Sequence, residues 1–139
     1  MKVCIVAILM LSLASASNLK SQIGQSCASA GNIAILLFDV SPWPPVLSGG
    51  ASITIEALMI KANTSVGLIT YGTMNQYHSW SYEYLPVYQY FPQSSVETFQ
   101  YTFEFPTTPG NFITQVIFGS ADNPPTINTC WSFAYTIGT

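Results

Sequence analysis

The feature that most constrains the fold is the alternation of aromatic and polar residues from Glu97 to Phe105. Successive side chains of a β-strand point to opposite faces, so this pattern predicts one face of buried rings and one polar, wet face. Similar alternation occurs within 51–60 and 127–137. Beyond the N-terminus, no window shows an apolar stripe with the 3.6-residue period of a helix. The sequence therefore predicts an all-β protein.

Strand signals recur along the chain, separated by clusters of Gly, Pro, Asn and Ser. This spacing favours an antiparallel sandwich or barrel. The predicted strands cover 33–40, 51–60, 65–72, 79–90, 97–105, 111–119 and 127–137. Pro86 interrupts the fourth of these. Because proline cannot donate to a strand ladder, we expect an edge strand or a bulged strand there.

The N-terminus has the features of a secretory signal peptide over residues 1–16. Lys2 precedes an apolar run over 3–11, and Ala14-Ser15-Ala16 supplies a cleavage pattern. A membrane anchor is the alternative, but the run is shorter than the roughly 20 residues that cross a bilayer. Cleavage leaves 139 − 16 = 123 residues, enough for one domain over 17–139. We predict a protein that is extracellular or lies in an endolysosomal lumen.

Charged residues are scarce. After cleavage the chain would hold two lysines and six acids, a net charge of 2 − 6 = −4. Nucleic-acid affinity rests on Lys and Arg contacts to phosphate, so we expect no nucleic-acid partner. Charged residues make up 6% of the chain, against about 25% in an ordinary soluble domain. The composition therefore predicts that something apolar is buried or presented.

The sequence offers no convincing catalytic or metal centre. His78 is the single histidine, which excludes a multi-histidine metal site, and we interpret it as a surface residue in a polar turn. A pair of carboxylates for glycoside hydrolysis would have to come from Glu83, Glu97 and Glu104, but Glu104 falls on the predicted wet face. We therefore predict a protein that is not an enzyme and that uses no cofactor or metal.

Cys27 and Cys130 lie near opposite ends of the cleaved chain. A secretory route permits them to form a disulfide, and two free buried thiols are the alternative. A bridge would close a loop of about 100 residues, which the chain-entropy model values at roughly 4 to 5 kcal/mol. Asn63-Thr64-Ser65 is an N-x-S sequon, so Asn63 is a candidate glycosylation site in a surface turn.

Three further segments, taken together, point to a known family. Residues Asp39–Pro45 read Asp-Val-Ser-Pro-Trp-Pro-Pro, 97–106 is an aromatic strand ending in a Pro-containing loop, and Cys130-Trp131 opens the last strand. In order and spacing, over roughly 25–137, these segments resemble the ML lipid-recognition family. That family includes the Niemann-Pick type C soluble sterol carrier, the group 2 mite allergens and fungal phosphatidylglycerol/phosphatidylinositol transfer proteins. The further cysteines that its members commonly hold are missing from this sequence.

The resemblance implies an immunoglobulin-like β-sandwich of two antiparallel sheets with an apolar cavity between them, and Cys27 with Cys130 as the family's long-range disulfide. It also implies a lipid ligand, such as a sterol or phospholipid, carried by a monomer whose membrane or receptor contacts are transient. We expect the lipid-binding residues at inward positions of the strands: Ile53, Ile55, Met59, Leu68, Phe99, Tyr101, Phe103, Val116, Phe118, Trp131, Phe133 and Tyr135.

A second hypothesis comes from the Tyr-rich segment at 77–91. Taken without the resemblance, the alternating ring faces favour a core packed shut, since most such faces are simply core. In that case an exposed aromatic platform for a partner protein or a glycan would be formed by Trp80, Tyr82, Tyr84, Tyr88 and Tyr90. Lipid binding is the leading prediction, and an extracellular interaction or glycan-binding module with a closed core is the alternative.

Overall fold

A computed structural model of the chain describes residues 23–28 and 31–138. These residues include no helix that is long and apolar enough to cross a membrane. They form the strands β1 (Gln25–Ser26), β2 (Ile33–Ser41), β3 (Gly50–Met59), β4 (Thr64–Met74), β5 (Trp80–Phe91), β6 (Val96–Glu104), β7 (Gly110–Gly119) and β8 (Ile127–Ile137). The predicted signal peptide, residues 1–16, lies outside the described residues.

The predicted strand positions are confirmed. The seven predicted segments coincide with β2 to β8, and no end differs by more than two residues. The prediction omits β1, because a strand of two residues is too short to show an alternating pattern.

The strands form two antiparallel sheets. One sheet has five strands in the order β1-β8-β7-β4-β5, and the other has three in the order β2-β3-β6. Every paired strand is antiparallel to its neighbour. This arrangement confirms the predicted all-β sandwich.

Alternation along each strand sorts its side chains between the interior and the surface. On β6, Phe99 and Phe103 are buried, whereas Gln100 and Thr102 between them are exposed. On β3 the inward residues are completely buried from Ile53 onward, and β8 turns its own rings toward them. The core therefore lies between the two ring-bearing faces.

Aromatic rings contact each other across the interior. Phe38 on β2 stacks on Trp131 of β8 with 5.6 Å between ring centroids, and Tyr71 on β4 stacks on Tyr101 of β6 at 4.4 Å. Two more pairs join the sheets edge to face: Phe99–Phe118 at 5.4 Å and Phe105–Tyr135 at 5.5 Å. These centroid distances are those of rings in van der Waals contact. The two sheets therefore pack directly on one another at these positions.

Strand β5 is both an edge strand and a bulged one, so both predicted alternatives hold. It is the last strand of its sheet, and its register against β4 shifts between Val66 and Leu68. Two β5 residues there face one residue of β4, and one of them, Tyr88, has a φ of 48°. Pro86 beside the bulge has no N–H to donate, which suits an edge position.

Two sequence features lie in exposed turns, as predicted. Asn63 is exposed between β3 and β4 with a φ of 56°, which is compatible with a glycan acceptor, and its glycosylation stays a prediction. His78 is exposed between β4 and β5 with a φ of 64°. That turn is held by Asn75, whose Oδ1 accepts hydrogen bonds from the backbone N–H groups of Tyr77 and Ser79.

A disulfide joins Cys27, just after β1, to Cys130 on β8, which confirms the predicted pairing. The Cα atoms are 5.1 Å apart and the cysteines are 103 positions apart in sequence. The backbone N–H of Cys27 also donates to the Cys130 carbonyl at 3.1 Å. The bridge thus ties the short β1 segment to the five-stranded sheet.

Replacing Cys27 and Cys130 together by serine should lower the free energy of unfolding by about 4 kcal/mol, because the unfolded chain loses a closure of about 100 residues. Urea unfolding of the double variant and of the oxidised wild type measures the difference. A change below about 1 kcal/mol would contradict a stabilising role for the bridge.

Candidate functional site

Eleven of the twelve predicted lipid-binding residues lie in the core or pack against it. Nine are buried members of the core, while Tyr101 and Trp131 are partly buried and pack against it. Tyr135 and Phe133 also line clefts that open to the outside, whereas Ile53, Ile55 and Met59 line none of the clefts described here. Lipid binding by these residues stays a prediction.

Leu68 lies on the opposite face from the one predicted, and the bulge explains why. Val66 is buried in the core, and the next core residues of β4 are Ile69 and Tyr71. The alternation therefore shifts by one residue where the register changes between Val66 and Leu68. Leu68 instead lines an outer cleft together with Ile117.

Three rings of β5 form a row on the outer face of the five-stranded sheet, which we call the ring row. Trp80, Tyr82 and Tyr84 are 42%, 54% and 53% exposed. Trp80 and Tyr82 are nearly parallel, with 6.0 Å between centroids and 6° between planes. Tyr82 and Tyr84 follow at 6.4 Å and 21°. Three large rings thus share one orientation along the edge of the sheet.

The ring row rests on Gly72, which faces Tyr82 across the β4–β5 pair. A Cβ atom at this glycine would lie 3.0 Å from Cε1 of Tyr82 and 3.3 Å from Cε3 of Trp80. The space that a side chain would fill is therefore occupied by the two rings. Sequence reasoning missed this role of Gly72, although glycine inside a predicted strand is a known signal of close approach.

Glu83 holds β5 from its inner side. Its side chain points away from the ring row, and its Oε1 accepts a hydrogen bond from the Tyr101 hydroxyl at 2.9 Å. Since β5 and β6 are edge strands of different sheets, this bond joins the sheets along one side of the sandwich. The alternation of β5 then requires the neighbouring rings of Tyr82 and Tyr84 to face outward.

The phenols beside Glu83 are held in their neutral form. Burial, the hydrogen bond to Glu83 and its negative charge raise the pKa of Tyr101 to about 12. Burial also raises the pKa of Tyr71 far above its ordinary value, and its hydroxyl has no hydrogen-bond partner among the described residues. Tyr71 and Tyr101 therefore stack as neutral rings beside Glu83.

Further hydroxyls are buried between β4, β7 and β8. The Thr114 hydroxyl is hydrogen-bonded to Thr73 at 2.9 Å and to Tyr135 at 2.8 Å. Burial raises the pKa of Tyr135, so its hydroxyl stays protonated and able to take part in this chain. Within residues 23–28 and 31–138, no group of three or more His, Cys, Asp and Glu side chains is placed to hold a metal.

An outer cleft lies beside each end of the ring row, next to the β4 residues that are paired with the end rings, and Trp80 itself lines a third, smaller cleft with Glu83 and Glu104. At the Tyr84 end a cleft of about 490 Å³ is lined by Leu68, Thr70, Tyr88, Ile117 and Ile127, among others. At the Trp80 end a cleft of about 460 Å³ is lined by Met74, His78, Asn111, Ile113 and Thr136, among others. Both clefts mix apolar and polar groups, and the first also includes the carboxylate of Asp122.

No family model matches this chain, and no curated protein matches it. Among solved structures, the chain is similar to one titled as the crystal structure of the C-terminal domain of wzt. The TM-score is 0.66 with 6% sequence identity, over 85% of this chain and 83% of that chain. A likeness at this identity supports the sandwich fold and carries no information on the ligand.

Replacing Gly72 by alanine should displace the ring row and leave the fold intact. Gly72 is not among the residues with positive φ, so alanine fits its backbone, and the exposed rings can move. We expect an altered near-ultraviolet circular dichroism spectrum and a change of less than about 1 kcal/mol in the free energy of unfolding.

The matched control for this change is Gly119→Ala. Gly119 also lies in the five-stranded sheet, but the nearest atom to its added Cβ, the Leu68 carbonyl oxygen, is at an ordinary 3.5 Å. Its spectrum should match that of the wild type. Identical spectra for both variants would show that the rings do not rest on Gly72.

Proposed function

We propose that the protein is an extracellular binding module that recognises a neutral glycan on the outer face of its five-stranded sheet. The observation that carries this proposal is the ring row itself, three roughly parallel aromatic side chains left 42–54% exposed on one strand. Exposed apolar patches of this kind are typical of binding surfaces. The proposal assigns no catalytic step to the protein.

The chemistry of the ring row suits a sugar. Tyrosine and tryptophan combine an apolar ring with a polar tip, so they can cover the C–H face of a pyranose and hydrogen-bond its hydroxyls. Their contact area comes with few rotatable bonds, which limits the entropy lost on binding. The flanking strands add Thr70, Gln115 and Ser132, whose uncharged polar groups can bond further hydroxyls.

The charge around the ring row favours a neutral ligand over an anionic one. Anionic groups are bound through Arg and Lys in strong, charge-assisted hydrogen bonds. The chain has three lysines and no arginine, and of these Lys61 alone lies in the described residues, in the turn after β3. It lines neither of the clefts that border the ring row. Among the described residues, the clefts therefore offer no lysine or arginine to pair with a phosphorylated or sulfated glycan.

Lipid binding between the sheets would require the two sheets to move apart. A guest there would have to separate ring pairs such as Tyr71–Tyr101 and Phe99–Phe118, which are in direct contact. It would also have to part β5 from β6, which the Glu83–Tyr101 hydrogen bond joins. A binding surface on the outer face requires neither change.

The experiment is isothermal titration of the secreted, disulfide-bonded protein with soluble neutral polysaccharides, namely barley β-glucan, laminarin, mannan and xylan. We expect one of them to bind, and Tyr82→Ala to weaken that binding tenfold or more, because central Tyr and Trp residues dominate such surfaces. A tenfold loss equals about 1.4 kcal/mol.

Tyr77→Ala is the control variant for this titration. Tyr77 is 78% exposed, lies in the turn before β5 and lines neither of the clefts that border the ring row. Its removal should leave the affinity unchanged. The proposal fails if no polysaccharide binds, or if Tyr82→Ala and Tyr77→Ala bind alike. Lipid that co-purifies with the same preparation, seen by mass spectrometry after solvent extraction, would favour the carrier hypothesis instead.

A further inference from the structure

We infer that the glycan is a linear polymer bound along its length, through several consecutive sugar units. This inference rests on the proposed function and specifies its ligand class. It comes from the continuity between the ring row and the two clefts that border it.

The register of β4 makes these three features continuous. Its outward residues Leu68, Thr70, Gly72 and Met74 are paired in order with Pro86, Tyr84, Tyr82 and Trp80 of β5. Leu68 and Thr70 line the cleft at the Tyr84 end, and Met74 lines the cleft at the Trp80 end. At Gly72, midway between them, the rings of Tyr82 and Trp80 cover the strand. One surface, formed by these rings at its middle, therefore runs from cleft to cleft.

Strand β7 forms the other side of this surface. Thr70 is paired with Ile117, Gly72 with Gln115 and Met74 with Ile113. Ile117 lines the first cleft and Ile113 the second. The surface between β5 and β7 is thus bordered by rings on one side and by aliphatic and amide groups on the other.

The length of this surface favours a chain of sugars over a single sugar as the ligand. A strand rises about 3.3 Å per residue, so the six steps from Leu68 to Met74 span roughly 20 Å. A single sugar ring covers a small part of that distance, whereas several rings laid end to end fill it. Within it, successive rings of the ring row are 6.0 and 6.4 Å apart, so the row presents a series of aromatic contacts along this length.

The two ends of the surface differ. At the Tyr84 end the loop between β7 and β8 lines the cleft with Ser120 and Asp122, and a Cβ atom at Gly67, one residue before Leu68, would meet the Ser120 carbonyl. At the Trp80 end the cleft continues past Met74 toward Asn111 and Thr136, which are hydrogen-bonded to each other at 2.7 Å and are exposed. A chain of several sugars can therefore extend beyond the surface at the Trp80 end.

The test measures affinity against chain length. The wild-type protein is titrated with glucose, mannose and xylose and with cello-, laminari-, manno- and xylo-oligosaccharides of two, four and six units. We expect undetectable binding of the monosaccharides and an affinity for one hexamer at least tenfold above that for its dimer. Each added unit that contacts the surface contributes to this rise.

Variants at the two ends make the test independent of the central rings. Ile127→Ala and Ile113→Ala remove exposed side chains from the two end clefts, and Val96→Ala removes a comparably exposed one from the other sheet. We expect each of the first two to weaken hexamer binding about threefold or more while dimer binding stays constant. Val96→Ala should bind both oligomers like the wild type.

The possible failures are distinguishable. Equal affinity for a monosaccharide and its hexamer, or hexamer binding that neither end variant weakens, overturns the inference of a chain-length site while the glycan-binding function stands. Absence of binding to every saccharide overturns the proposed function and the inference with it.

Discussion

The architecture depends on direct contact between aromatic rings across the middle of the sandwich. Phe38 on Trp131 and Tyr71 on Tyr101 close the interior near its two open sides, and edge-to-face pairs fill the space between them. Aromatic pairs contribute about 0.5 to 1.5 kcal/mol each beyond the area they bury. A core built this way is stabilised by ring contact and by a single disulfide, with very little help from charge.

The exposed rings of β5 are not part of the aromatic core between the sheets. Rings needed for the core already lie inside, so Trp80, Tyr82 and Tyr84 on β5 add little to it, yet they are aligned on one face and supported by Gly72. Glu83 fixes the same strand to the opposite sheet through Tyr101. A pre-aligned surface loses less entropy on binding, and this favours recognition over chance exposure. The core thus supports the strand that carries the proposed site.

Much of the fold was predictable from local pattern, and the site less so. The period of two around Phe99 and the proline at position 86 predict a wet-faced strand and an edge strand, because both signals act through neighbouring residues. The outward placement of Leu68 depends on a bulge, and the support that Gly72 gives depends on which strand pairs with β5. The residue pattern within one strand does not reveal which distant strand pairs with it. The structure was therefore needed to find these two features.

The most direct test of a closed core with an outer binding face is methyl NMR of the protein labelled at isoleucine. Ile53 and Ile55 report on the interior, whereas Ile113 and Ile117 report on the outer face. Titration with neutral hexasaccharides and with phospholipid or cholesterol should shift the outer methyl signals with a saccharide, and should leave the interior signals unmoved by either lipid. Lipid-induced shifts at Ile53 and Ile55 with the outer signals unchanged would contradict the account.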